Sequence, residues 1–359
     1  MMNILVRIPN WLGDAVMATF ALEILFSRFP KAYFYFVGSA TSIALFAHYP
    51  NVTTIEDKSK KARFRILNLY HLGKSIPPCD LGFTFQNNLL SALLLFFNGT
   101  KFRAGFSTEM RSFLLTFYPK KPKNMHEALR FSTLVESALH SPRLKNLPLQ
   151  EVEVLPKLYL KKPPLQVNLP KHFKDSKIVG INAGATFGTA KRWEESYFAQ
   201  VIGFLLQQNY KIILFGITNE NEINNEILRH LHQMPNLNED LLGNILNLSG
   251  KTTIESLIAH FLKLHFLLTN DSGPMHIASA LEIPTLALFG PTNTKETCPF
   301  NAKNSHILSL ETFHQKLPCM PCMQRTCPLP KDSTTFHACM RNLTPNLVIT
   351  KLQSILSEV

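Results

Sequence analysis

The sequence predicts an α/β chain of two successive domains, each built on a parallel sheet. Three observations carry this reading. Short apolar runs alternate with amphipathic helical stretches. The alternation stops at a Pro- and Lys-rich segment, Lys161 to Pro170, and then restarts. Small or polar residues follow the ends of the apolar runs, as they do where a strand gives way to a ligand-facing loop. With 359 residues the chain exceeds one ordinary domain and suits two. Apolar residues at 45% and charged residues at 17% support two buried cores and exclude wholesale disorder. The expected division is 1–165, 166–343 and a terminal helix, 344–359, that packs back across the junction.

Asn3 to Ile8 is a mostly apolar run stopped by Pro9, which reads as a buried strand. Asp14 to Phe29 follows as a helix, because Ala15, Ala18, Leu22, Leu25 and Phe26 share one face and Pro30 ends it. Tyr33 to Val37, closed by Gly38, completes a strand–helix–strand unit, which requires parallel pairing. The uncharged stretch Leu81 to Thr100 holds Gln86, Asn87, Asn88 and Asn98, so it reads as a strand and a buried helix, not a membrane span. After the linker, strands are expected at Lys177 to Asn182, Lys211 to Phe215, Phe266 to Thr269 and Thr285 to Phe289. Helices are expected at Glu194 to Gln207, Ile254 to Leu264, Pro274 to Leu281 and Pro345 to Ser357.

Four stretches just past strand ends carry the chemistry. The first is Asn10-Trp11-Leu12-Gly13-Asp14, where Gly13 admits close approach of a ligand and Asp14 is either a catalytic base or a helix cap. No G-x-G-x-x-G follows this strand, which argues against a nicotinamide-dependent oxidoreductase. The second is Asn182 to Thr186 with Lys191-Arg192-Trp193: small residues let backbone N–H groups face an anion, and Lys191 is a point charge suited to phosphate, or a solvated lysine. The third, Thr269 to His276, opens a helix through a Ser-Gly-Pro turn, so Asp271, Ser272, Gly273 and His276 lie where free N–H groups favour phosphate. The fourth is Gly216 with Glu220 and Glu222, either of which is suited to accept ribose hydroxyls or to remain a solvated acid. Cys319, Cys322, Cys327 and Cys339 cluster late, near His314 and His337. Their second pair is spaced unlike a zinc ribbon, so reduced thiols rather than a metal site are expected.

These stretches together resemble the bacterial ADP-heptose:lipopolysaccharide heptosyltransferases, glycosyltransferase family 9. The matching motifs are Trp11-Leu12-Gly13-Asp14, Gly184 to Trp193, Asn270 to His276, Phe289 to Thr292 and the Cys-x-Pro-Cys-x-x-Arg-x-Cys-Pro stretch Cys319 to Pro328, in the family's order over nearly the whole chain. The spacer from Cys327 to Cys339 is longer than the family's usual stretch. The resemblance implies a GT-B fold, two Rossmann-like domains facing across a cleft. It implies an inverting transfer of L-glycero-D-manno-heptose from ADP-heptose to the lipopolysaccharide inner core, most like the family's second-acting branch, whose acceptor is heptosyl-Kdo-lipid A. It also implies Asp14 as general base, with Asn10, Trp11 and Gly13 on the acceptor side. Thr186, Lys191, Glu220, Asp271, Ser272, Gly273 and His276 would lie on the donor side, with Glu222 as the fallback for ribose. ADP-heptose is then a substrate, and neither a cofactor nor a metal is required. The alternatives are a transferase of the same fold that acts on a different acceptor, as the family's first-acting branch does, and a nucleotide-binding protein that transfers nothing.

The charge is uneven. Residues 1–165 carry 21 basic and 10 acidic groups, a net of +11, whereas residues 166–359 carry 16 and 15, a net of +1. Lys58, Lys60, Lys61, Arg63 and Arg65 form one cluster, and Lys120, Lys121 and Lys123 another. No zinc-finger, homeodomain or RNP-type pattern accompanies them, so nucleic acid is not expected as a partner. An acidic acceptor and an anionic inner-membrane surface are. With no signal peptide in view, a cytoplasmic protein peripheral to the inner membrane is expected.

Overall fold

The computed structural model describes residues 2–147, 149–315 and 317–357. It comprises two compact units, Met1–Lys161 and Lys162–Val359. The division thus falls within the Pro- and Lys-rich segment rather than after Leu165.

Unit 1 holds five parallel strands: β1 (Asn3–Arg7), β2 (Tyr33–Gly38), β3 (Val52–Glu56), β4 (Leu81–Thr84) and β5 (Phe102–Ala104), in the order β3-β2-β1-β4-β5. The register of the central pair sets Val6 beside Phe36 and Phe83. Both faces of the sheet are covered by helices, which is why the central strands are nearly continuous apolar runs. The helix expected from Asp14 instead begins at Leu12 and runs as two pieces, Leu12–Met17 and Thr19–Arg28. At the break the Thr19 hydroxyl donates to the Val16 carbonyl at 2.6 Å, a local bond that competes with the regular ladder. The helix after β4, Leu89–Asn98, is capped by the Asn88 side chain and closed by Gly99 in the left-handed region. It is buried on one face only: Phe96 is half exposed, contrary to the reading from its uncharged composition. This helix pairs with Arg65–Ser75, which the sequence reading missed among the basic residues.

Unit 2 holds six parallel strands: β6 (Ile178–Asn182), β7 (Lys211–Phe215), β8 (Ile245–Asn247), β9 (Phe266–Asn270), β10 (Thr285–Leu288) and β11 (Ser305–Leu308). Their order, β11-β10-β9-β6-β7-β8, is that of a Rossmann sheet, with the direction of chain progression reversing between β6 and β9. Every residue of β6 and β9 is buried. The core gathers Val179, Ile181, Leu214 and Leu268 from the sheet with Trp193, Phe198 and Ile202 from the loop and helix after β6. The terminal helix Pro345–Leu356 belongs to this core. Val348, Leu352 and Ile355 are buried in it, and the helix rests on Glu195–Gln207. That apolar stripe is what anchors it to unit 2, where the sequence reading had set it across the junction. The last two residues of the segment lie outside the described ones.

Candidate functional site

In open α/β sheets ligands bind past the carboxyl ends of the strands, at the point where strand order reverses. In unit 2 that point lies between the loops leaving β6 and β9, which are stitched together. The Asn182 amide donates to the Ser272 hydroxyl at 3.0 Å, and the Asn270 amide donates to the Ala183 carbonyl at 2.7 Å. Trp193 is fully buried and its indole N–H donates to the Leu343 carbonyl at 2.7 Å, which fixes the end of the β6 loop.

Between these loops the Lys191 Nζ lies 2.6 Å from an Asp271 carboxylate oxygen, and the Thr292 hydroxyl donates to that same oxygen at 2.6 Å. Asp271 is only 3% exposed. Lys191 also sits 4.7 Å above the centre of the Phe187 ring, and the Arg325 guanidinium lies 5.4 Å from the same ring. Two cations therefore lie against one aromatic ring, and one of them, Lys191, pairs with the Asp271 that precedes helix Gly273–Ala280. The arrangement suits a diphosphate: lysine keeps further N–H donors while it neutralises Asp271.

The neighbouring strand end supplies a carboxylate. Glu220 is buried, its carboxylate accepts the Ile217 N–H at 3.0 Å, and it lies against Gly184 so closely that a Cβ there would sit 2.1 Å from the Glu220 carboxyl carbon. Gly184 is thus required for close approach. Glu222 is at the surface in an ion pair with Arg229 at 2.6 Å. Of the two acids, only Glu220 reaches the β6 loop. Thr186 is exposed on that loop, and His276 is buried in the first turn of helix Gly273–Ala280.

The cysteine-rich segment packs against the loop after β6 at Gly188 and Ala190. Cys319, Cys322, Cys327 and Cys339 line one small cavity together with Ala190 and His337. The Arg325 carbonyl accepts the Ala190 N–H at 3.0 Å, and Gly188 is pressed so tightly to that carbonyl that a Cβ would lie 2.1 Å from it. Burial, then the nearby Cys322, Cys319 and Cys327, pushes the Cys339 thiol up to about 12, so it is protonated at neutral pH.

Unit 1 repeats the logic with different groups. Its strand order reverses between β1 and β4, where the Gln86 amide donates to the Ile8 carbonyl at 3.1 Å. The Asn10-to-Asp14 stretch lies at this point. Asp14 is the third residue of helix Leu12–Met17; the cap position is Trp11, which makes no side-chain cap bond. Asp14 is therefore not the cap. Trp11 and Asn10 are exposed, and Gly13 is partly so.

Two buried arginines set the frame. Arg7 pairs with Asp57 at 2.8 Å and donates to the Val37 carbonyl at 2.9 Å and to the Asn10 side chain at 3.4 Å, which ties together the ends of β1, β2 and β3. Arg111 is fully buried and donates to the Gln86 carbonyl, to the Ser91 hydroxyl at 2.9 Å and to the Asn87 side chain at 3.3 Å. Burial pulls its pKa down to about 10, which still leaves it charged at neutral pH. The sequence reading missed Arg7, Arg111, Thr292 and Arg325 as site residues. The signal available for Gln86 to Asn88 was their place directly after a strand, the same signal that found Lys191.

A model of glycosyltransferase family 9 (heptosyltransferase) matches residues 69–332. The chain belongs to glycosyltransferase family 9. This family 9 chain is 35% identical to lipooligosaccharide heptosyltransferase 2 of Campylobacter jejuni over 356 residues, which is 99% of each protein. It is 28% identical to lipopolysaccharide heptosyltransferase 2 of Escherichia coli, again over 99% of each. Among solved structures, E. coli ADP-heptose lipopolysaccharide heptosyltransferase II superposes with a TM-score of 0.74, at 24% identity and 99% coverage of both chains. The family 9 chain is thus a glycosyltransferase built of two Rossmann-like α/β domains, as the motifs implied.

Proposed function

We propose that the chain transfers L-glycero-D-manno-heptose from ADP-heptose to heptosyl-Kdo-lipid A during lipopolysaccharide assembly, with inversion at the anomeric carbon. The observation that carries this is the Lys191–Asp271 pair, held with Arg325 at the switch point of the unit 2 sheet. It sits in a chain that aligns end to end with proteins named heptosyltransferase 2. The resemblance to the family implies that unit 1 meets the acceptor, and its 20 basic against 10 acidic groups, a net of +10 over residues 1–161, suit Kdo carboxylates and lipid A phosphates.

In this reading Asp14 takes the proton from the acceptor hydroxyl as its oxygen bonds to the anomeric carbon. The bond from that carbon to the ADP phosphate oxygen breaks, and its electron pair leaves with ADP. Lys191 and Arg325 stabilise the growing charge on the diphosphate, so the reaction needs no metal. Because the acceptor is anchored in lipid, the enzyme works at the cytoplasmic face of the inner membrane as a peripheral protein.

Glu220 receives the ribose hydroxyls. Glu220→Ala should weaken ADP binding by about 1.5–3 kcal/mol, the range for hydrogen bonds to a charged group. Binding of pyrophosphate, which has no ribose, should not change. Calorimetric titration separates the two, and an equal loss for both ligands would remove Glu220 from the ribose site.

A competition panel tests the function class. ADP-heptose should displace a fluorescent ADP analogue in chelator as well as in magnesium, whereas NAD and single-stranded oligonucleotide should not. Displacement by NAD, or loss of ADP-heptose binding on chelation, would overturn the reading.

A further inference from the structure

Helices Arg65–Ser75 and Leu89–Asn98 of unit 1 cross closely. A Cβ on Gly73 would come within 2.9 Å of the Phe97 Cβ, and the Asn98 amide donates to the Gly73 and Ile76 carbonyls at 3.1 and 3.0 Å. Leu69 is buried in this pair. The outer side is a different matter. Phe64, Ile66, Leu67 and Phe96 are each half or more exposed, and Tyr70 extends the same surface. Phe64, Ile66, Leu67 and Tyr70 line a shallow open groove that ends on Phe97. A contiguous exposed apolar patch of this kind marks a contact surface.

The charge around it identifies the partner. Arg63 lies 5.4 Å from the Phe64 ring, Lys74 5.8 Å from the Tyr70 ring and Arg103 5.7 Å from the Phe96 ring, so each exposed aromatic carries a cation on its face. Residues 58–108 contain eight Lys or Arg and a single acid, Asp80, which Lys101 already pairs at 2.9 Å. A second copy of this chain would bring the same cations onto themselves. An apolar protein partner would leave them unmatched. An anionic bilayer satisfies both halves, because the apolar side chains enter the headgroup–acyl boundary while the cations meet lipid phosphates. At eleven and ten residues the helices are far too short to span a bilayer, so this surface lies on it.

We propose that the exposed face of these two helices docks unit 1 onto an anionic lipid bilayer. The benefit to catalysis rests on the proposed function, in which the acceptor is lipid-anchored; the docking does not. The test is co-sedimentation of the full chain with phosphatidylcholine vesicles, with and without phosphatidylglycerol. The wild-type chain should bind the phosphatidylglycerol vesicles and release from them in high salt. The variant Ile66→Ser/Leu67→Ser should lose at least about 10-fold in vesicle affinity, since two aliphatic side chains no longer enter the boundary. Arg63→Gln/Lys74→Gln should also weaken binding and flatten its salt dependence. All four side chains lie outside the core, so unchanged melting confirms intact folding. With acceptor embedded in the vesicles, turnover of the Ile66→Ser/Leu67→Ser variant should fall in step with binding. With a delipidated, soluble acceptor it should match wild type. Wild-type chain that ignores phosphatidylglycerol, or a double variant that binds as well as wild type, overturns the proposal. So does wild-type self-association that the double variant abolishes, which would make the face an interface between copies. Sedimentation requires no turnover. Vesicle binding lost only in the variants, in a chain that transfers no heptose, would refute the function and leave the docking standing.

Discussion

Replacing Asp14 with Asn is expected to leave a folded protein that binds ADP as tightly as wild type and turns over about 10²–10⁴-fold more slowly, the usual contribution of a positioned general base. The sequence alone left two roles open for this carboxylate. The structure removes one, because the cap position of the helix is Trp11 and Asp14 lies three residues further in, inside the first turn. A cap lost to Asn would change little in any case, since Asn caps as well as Asp. The substitution therefore separates chemistry from folding. Melting temperature and ADP affinity report on the fold, and turnover at saturating donor and acceptor reports on the proton transfer. An Asp14→Asn variant that keeps more than roughly a tenth of wild-type turnover lies well outside that range, and the base would have to be sought elsewhere.

Lys191→Ala is expected to act twice. It strips the ion pair from an Asp271 carboxylate that is 3% exposed and that keeps the bond from the Thr292 hydroxyl. Breaking a buried pair by removing one partner costs about 3–5 kcal/mol, so stability should drop. It also removes a charged donor to the diphosphate, so ADP affinity should fall roughly 10- to 150-fold, the equivalent of about 1.5–3 kcal/mol. The double variant Lys191→Ala/Asp271→Asn distinguishes these effects. With the buried charge gone, stability should largely return while ADP affinity stays low. If the double variant regains both, Lys191 serves only to neutralise Asp271 and plays no part in holding phosphate.

The features legible in the sequence were those coded locally. β6 and β9 announced themselves as apolar runs ending in a polar residue, and Gly184, Lys191 and Asp271 followed at the strand ends where ligands bind. The contacts that finish the site are long-range and left no local trace. Arg7 meets Asp57 fifty residues away, and Arg111 reaches the carbonyl of Gln86. The choice between Glu220 and Glu222 turned on burial. One lies against Gly184 and the other against Arg229 at the surface, a distinction invisible in two acids two positions apart. Helix Arg65–Ser75 was obscured because its outer apolar residues are exposed and interleaved with basic ones, so the stripe that normally signals a buried face was blurred. The terminal helix was misplaced because its stripe shows that it packs but not against which unit.

Heptose transfer itself tests the account most directly. The purified chain should be incubated with ADP-heptose and, in parallel, with heptosyl-Kdo-lipid A and with Kdo-lipid A lacking the first heptose, each product being read by mass spectrometry. The expected result is the addition of a single heptose to heptosyl-Kdo-lipid A, little or none to the acceptor without heptose, and loss of the signal in Asp14→Asn. Transfer to Kdo-lipid A in preference to its heptosylated form, or no transfer to either acceptor by a folded chain that binds ADP-heptose, would contradict it.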